Sequence, residues 1–311
     1  MSRTTGAYLL LILRGMAMGA VDVVPGMSGG TIALITGIYK ELIFSIKSFN
    51  PRLVTTLRKE GIAAVWKQIN GNFLLAVITG VLISIFSLAK AVSWLLANHP
   101  MMVWSFFFGL ITGSAIYVVL RMERYNLRGL VFFLLGGFIA YYFTIATPAT
   151  TPEQLWFIFI AGSIAFCAMI LPGLSGAFIL IFLGKYEFML NALVELNLKV
   201  IAVFAVGGIA GVVAFSNVIG WLFKKHPNST LALLAGFMAG SLNKLWPWKK
   251  TLETHIDSLG EEIPLLEQSI SPGMYAEIYG QDPQVLPVLI SGLAGLILIL
   301  GFTLVSRQHN R

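Results

Sequence analysis

Ten apolar runs separated by polar breaks organise the chain, near residues 7–24, 28–46, 73–97, 101–121, 128–147, 155–171, 174–195, 198–223, 229–247 and 285–305. Most are about twenty residues long, which at about 1.5 Å of rise per residue spans a hydrocarbon core of about 30 Å. The strands of a membrane barrel would instead alternate apolar and polar positions over about ten residues, a pattern the chain lacks. The pattern predicts an all-α polytopic membrane protein.

Two of the breaks are glycine-rich and nearly identical, Pro25-Gly26-Met27-Ser28-Gly29-Gly30-Thr31 and Pro172-Gly173-Leu174-Ser175-Gly176-Ala177. They lie 147 residues apart, and the same offset pairs Gly15 with Gly162, Gly37 with Gly184 and Tyr39 with Tyr186. An offset of 127 then pairs Gly80 with Gly207, Trp94 with Trp221, His99-Pro100 with His226-Pro227, Gly109 with Gly236 and Gly113 with Gly240. The change reflects a polar loop after residue 46 that is about twenty residues longer than its partner after residue 195. The fifth and tenth runs pair by order. The chain therefore reads as two repeats.

Residues 1–150 form the first, with a hairpin over 7–46 and helices over 73–97, 101–121 and 128–147. Residues 151–311 form the second, with a hairpin over 155–195 and helices over 198–223, 229–247 and 285–305. If each hairpin is re-entrant, each repeat crosses three times; if both its arms cross, five times. Either count is odd and gives the repeats inverted topology, an architecture of transporters; only a hairpin that makes a single broken crossing would give parallel repeats. Loop charge agrees. Arg3, the 47–72 loop, Arg121, Arg124, Arg128, Lys224, Lys225 and the C-terminus fall on one side, read as cytoplasmic. Loops 98–100 and 148–154 carry no Lys or Arg, and the acidic connection 248–284 lies with them as an extracytoplasmic cap to which no chemistry is assigned.

Composition narrows the function classes. With 57% hydrophobic and 11% charged residues and a mean hydropathy of +0.83, the chain has too little polar surface to coat a soluble globule. The net charge of +7 is the loop bias just described rather than a nucleic-acid footprint. Cys167 alone provides neither a disulfide nor a metal site, and no cofactor or metal is expected. Arg14 interrupts the first run, so that run reads as part of the mature chain rather than a cleaved leader.

The candidate chemistry sits at the two breaks. Pro25 and Gly26 turn the chain, Ser28 stands where an N-cap should, and Gly29, Gly30 and Thr31 open the next helix with bare amides. Gly173, Ser175 and Gly176 would present a second such end from the opposite side. Two positive helix ends make a cradle for phosphate or carboxylate. Arg14 is a candidate to receive or screen the anion, and Asp22 a candidate proton or cation coupling group. The competing reading is an internal Arg14–Asp22 pair. The other spaced glycines, Gly15, Gly19, Gly109, Gly113, Gly236 and Gly240, read as helix packing sites. Lys40, Glu41, Lys185 and Glu187 read as interfacial, and His99 and His226 as loop caps.

The stretch Arg14-Gly15 through Gly19-Ala20, Asp22-Val23-Val24-Pro25-Gly26-Met27-Ser28-Gly29-Gly30-Thr31 and Gly37-Ile38-Tyr39, with Leu171-Pro172-Gly173-Leu174-Ser175-Gly176, resembles the bacterial polyprenyl-phosphate transporter family. The resemblance covers essentially the whole chain. It implies a multi-pass protein of the bacterial cytoplasmic membrane, both termini cytoplasmic, that returns undecaprenyl phosphate from the outer to the inner leaflet for peptidoglycan and related cell-wall synthesis. The residues alone leave two alternatives open, a transporter of a small soluble anion and a membrane enzyme acting on a lipid phosphate. The apolar runs lack the clustered His and acidic groups that such an enzyme would need.

Overall fold

Prolines and glycines set most helix limits. The computed structural model describes residues 3–24, 27–147, 149–256 and 262–308, and Pro25 and Gly26 of the first break therefore lie outside the described residues. The elements are α1 (Thr5–Asp22), α2 (Gly29–Ile35), α3 (Tyr39–Lys47), α4 (Arg52–Glu60), α5 (Ile62–Gln68), α6 (Gly71–Asn98), α7 (Pro100–Leu120), α8 (Leu127–Ile145), α9 (Leu155–Ile170), α10 (Gly176–Phe182), α11 (Tyr186–Val194), α12 (Leu198–Lys225) and α13 (Pro227–Ser241). A 3-10 turn (Leu242–Leu245), β1 (Lys249–Ile256), β2 (Glu262–Ser269), α14 (Pro272–Tyr279) and α15 (Val285–Gln308) complete the chain.

Among the described residues, five helices are long and apolar enough to cross a membrane, or seven if each of two bent pairs counts as one span. Their outer faces carry exposed apolar side chains such as Phe86, Ile209 and Ile297, which only a hydrocarbon solvent tolerates in such number. The chain is a multi-pass, mostly helical membrane protein. Among the described residues the β1–β2 hairpin is the one departure from all-helical structure; it lies in the 248–284 connection, which hydropathy leaves unassigned.

The runs expected at 28–46 and 174–195 are each two helices rather than one. α2 meets α3 at 116°, and α10 meets α11 at 110°. The cause is a glycine cap. Gly37 (φ +79°) and Gly184 (φ +60°) hold left-handed backbone that other residues rarely adopt. Around them Ile38 N–H donates to Ala33 O and Gly37 N–H to Leu34 O, while Lys185 N–H donates to Leu180 O and Gly184 N–H to Ile181 O. Both are the paired 6→1 and 5→2 bonds of a Schellman motif.

Glycines also decide which helices touch. α1 packs on α6, α9 on α12, α7 on α15 and α8 on α13. A Cβ on Gly15 would overlap Val77 O, and on Gly162 it would overlap Phe204 O; on Gly80 it would overlap Ile12 O, and on Gly207, Phe159 O. Each pair of contacts is related by the offsets 147 and 127 read from the sequence. The α7–α15 and α8–α13 contacts add a third. Gly109 meets Gly292 O as Gly236 meets Phe133 O, and Gly295 meets Phe106 O as Gly136 meets Leu233 O, so α8 corresponds to α15 at an offset of 159. His99 stacks edge-on against Trp94, as does His226 against Trp221. Neither histidine makes the expected side-chain cap bond. Ring packing, not capping, fixes them.

Lys185 is buried within the protein. It is 2% exposed, its Nζ donates to Thr151 O at 2.7 Å, and its ammonium lies over the rings of Phe157 and Phe188. Together with the Ala149 N–H to Phe182 O bond and the Thr151 hydroxyl on Leu183 O, it ties the loop after α8 to the α10–α11 corner.

Candidate functional site

The two breaks interlock. In an unbroken α9 the Gly173 N–H would donate to Met169 O four residues back. Pro172 cannot continue that ladder, and Gly173 turns away with φ +85°. Each of the two orphaned groups then finds a partner on α2. Ser28 Oγ donates to Met169 O at 2.6 Å, and Gly173 N–H donates to Thr31 Oγ1 at 3.1 Å. Ser28, Thr31 and Ser175 are buried, and Gly30 is pressed so closely on Ile170 O that a Cβ there would overlap it.

The amides at the start of α2 are not bare, as the spacing suggests, but already bonded. Asp22 Oδ1 accepts from Gly29 N–H at 2.6 Å, Ser28 Oγ accepts from Gly30 N–H at 3.1 Å, and Ser28 O accepts from Thr31 N–H at 3.0 Å. A carboxylate at a helix N-terminus is what the dipole and the free N–H groups favour. This end is occupied by the chain's own anion.

The start of α10 has the same shape without that occupant. At an offset of 147 the residue matching Asp22 is Met169. A Cβ on Gly29 would lie 2.6 Å from Asp22 Oδ2, and a Cβ on Gly176 would lie 2.7 Å from Met169 Cγ, so the two side chains hold equivalent positions. A thioether is at best a weak acceptor. Ser175, at the N-cap, makes no side-chain cap bond either. The second helix end is thus the open one, although Arg14 and Asp22 mark the first in the sequence.

Arg14 is not part of this cluster. It precedes Asp22 by eight residues, about 12 Å along α1. No ion pair between them is seen among the described residues; the ion pair near the start of α1 is Arg3–Glu41 at 2.6 Å. Arg14 Nε is buried with no hydrogen-bond partner. Arg14 itself is half-buried, and a charged side chain within an apolar run usually faces a site or a cavity. The sequence reasoning missed the carbonyls of Met169 and Ile170. Only Pro172, which ends the α9 ladder, carries any signal of them.

Replacing Ser28 by alanine removes two bonds at once and leaves Met169 O without its donor. The expected loss is about 1–3 kcal/mol, read as a lower thermal midpoint of the purified chain, whereas Ser175→Ala is expected to shift it little.

The comparisons with known proteins agree with one another. Residues 18–263 match the model of a family described as undecaprenyl phosphate translocase-like. The chain is 42% identical over 301 residues to a polyprenyl-phosphate transporter of Vibrio cholerae, covering 97% of this chain and 98% of that one. It is 33% identical over 255 residues to a polyprenyl-phosphate transporter of Staphylococcus aureus, covering 76% and 85%. No solved structure matches the chain. These relatives are named as transporters, not enzymes, and with most of its length matched the chain belongs to the undecaprenyl phosphate translocase-like family.

Proposed function

We propose that the chain carries undecaprenyl phosphate from the outer to the inner leaflet of the bacterial cytoplasmic membrane by alternating access. The phosphate is bonded at the interlocked turns by Ser175 and the amides from Gly176 at the open end of α10, opposite Ser28, Gly29, Gly30 and Thr31. The observation that carries this reading is the substitution of Met169 for Asp22 at matching positions, which closes one helix end and leaves its partner open. A polyprenyl tail can stay in hydrocarbon while only the head group moves. The names of the relatives supply the lipid.

Asp22 is the coupling group in this reading. While ionised it competes with the phosphate for helix amides; protonated, or drawn to a cation, it releases Gly29. Arg14, deeper in α1, screens the path on the cytoplasmic side. The two repeats, 1–150 and 151–311, are inverted, and the recurrence of helix contacts at the offsets 147, 127 and 159 supports their equivalence. The distribution of Lys and Arg supports cytoplasmic termini.

The test is leaflet-resolved transport of polyprenyl phosphate in proteoliposomes. A folded Ser28→Ala, Ser175→Ala double variant is expected to lose transport; normal flipping by it would sink the site. Asp22→Asn, which keeps an acceptor for Gly29 N–H but cannot ionise, is expected to retain the fold and to lose the share of the pH dependence of transport that Asp22 supplies. A pH dependence unchanged from that of the parent chain would remove Asp22 from the mechanism.

A further inference from the structure

A second charged cluster lies under the β1–β2 hairpin. Glu267 on β2 bonds two ammonium groups at once, Lys244 Nζ of the 3-10 turn at 2.8 Å and Lys249 Nζ of β1 at 3.3 Å. Both lysines rest on aromatic rings of the membrane helices. Lys249 Nζ is 4.0 Å from the centre of the Trp104 ring of α7, and Lys244 Nζ is 5.2 Å from that of Phe178, in the first turn of α10. The cluster thus bridges the hairpin and the helix whose start is open.

Among the described side chains its charge is not balanced. Two ammoniums face one carboxylate in a site where the Lys249 side chain is only 8% exposed. Trp104 and Phe178 add no charge. Anchorage of the hairpin does not call for the arrangement, because neutral bonds already provide it. Trp246 Nε1 donates to Ile270 O, Trp248 Nε1 to Pro283 O and Ser269 Oγ to Asn243. Burying an excess cation is costly unless it is used. A phosphate group carries about −1.5 to −2 at pH 7 and three acceptor oxygens, so it would satisfy both lysines where Glu267 satisfies their charge by half.

We propose that Lys244 and Lys249 form a receiving site for the phosphate of a lipid phosphomonoester on the face expected to be extracytoplasmic, and that Glu267 occupies it until the hairpin lifts. The inference rests on the transport reading for its lipid and extends it with an entry site. The carboxylate that waits at the lysine pair does there what Asp22 does at Gly29. Burial, and secondarily the charge of Lys244, hold Lys249 down to about 8, against the opposing pull of Glu267. Burial alone would raise the Glu267 carboxyl, but Lys249 and Lys244 outweigh it and hold it below the usual range. Phosphate stays largely dianionic above pH 7. As pH rises through about 8, Lys249 loses its charge and binding therefore weakens.

The experiment is calorimetric titration of the purified full chain in detergent with farnesyl phosphate, and separately with inorganic phosphate, at pH 7 and pH 9. Glu267→Gln is expected to tighten binding about tenfold at pH 7, and Lys249→Gln to weaken it about tenfold. Lys249→Arg is expected to keep the affinity and abolish the fall between pH 7 and 9, since guanidinium stays charged. That rescue also separates a site effect from misfolding. A plain structural triad predicts the opposite for Glu267→Gln, unchanged or weaker binding, and that result overturns the proposal, as does wild-type binding by a folded Lys249→Gln. If farnesyl phosphate outcompetes inorganic phosphate the head group belongs to a lipid; equal competition assigns the lysines to free phosphate and overturns the lipid claim. Transport by a parent chain whose lysine variants bind normally refutes this site and leaves the transport reading standing. Lysine-dependent binding without transport does the reverse.

Discussion

Gly30→Ala is expected to leave a chain that neither packs its two turns nor transports. The added methyl would overlap the carbonyl of Ile170, and both partners are backbone, so no side chain can rotate out of the way. Overpacking of this kind costs about 1–3 kcal/mol where side chains relax, and more where they cannot. Separation of α2 from α9 would also stretch the Ser28–Met169 and Thr31–Gly173 bonds, each adding a buried unsatisfied group at about 1–3 kcal/mol. The control is Gly37→Ala. Its φ of +79° is strained for alanine, but nothing lies within 4 Å of the new methyl, so it is expected to cost about 1 kcal/mol and to preserve transport. Thermal midpoints and proteoliposome flux of the two variants, measured side by side, decide the matter: equal loss in both would mean that glycine's backbone freedom, not the interlock, is being measured.

Arg14→Met is expected to separate function from stability in opposite directions. It removes a half-buried guanidinium whose Nε has no partner and replaces it with an apolar side chain suited to its surroundings. The thermal midpoint should hold or rise, because a half-buried charge for which no ion pair is seen among the described residues gives way to an apolar side chain. Transport should fall by about a hundredfold, the equivalent of about 3 kcal/mol of charge-assisted hydrogen bonding to the passing phosphate. Flux at the parental rate in a folded Arg14→Met chain removes Arg14 from the pathway. A parallel loss of stability and flux points instead to a structural partner for the guanidinium.

Much of this arrangement is legible in the sequence because its key residues impose backbone demands that few others meet. Pro172, Gly173 and the glycines at 15, 80, 109 and 236 repeat at fixed offsets since each sits where a proline ends a ladder or a Cβ would strike a neighbouring carbonyl. The correspondence of α8 with α15 is nearly invisible. It rests on Gly136 and Gly295 among runs of interchangeable leucine, isoleucine and phenylalanine. The corners at Gly37 and Gly184 are hidden for another reason: both flanking helices are apolar, so hydropathy runs straight through the bend. Asp22 and Ser28 are visible as chemistry, but their partners are main-chain groups of Gly29, Gly30 and Met169, which no side-chain pattern announces. Lys244 and Glu267 are 23 residues apart on a turn and a bulged strand, and only the pairing of β1 with β2 brings them together.

The glycine contacts also fix which parts of the molecule can move. A helix whose Cα atoms seat beneath the carbonyls of its neighbour behaves like a toothed rack, unable to slide by less than about one turn, or about 5.4 Å, without lifting clear. α1 with α6, α9 with α12, α7 with α15 and α8 with α13 are therefore four stiff paired beams. In the alternating-access reading proposed above, the change from one opening to the other passes between beams, at joints that include the Ser28–Met169 bond, and at corners such as Gly37 and Gly184.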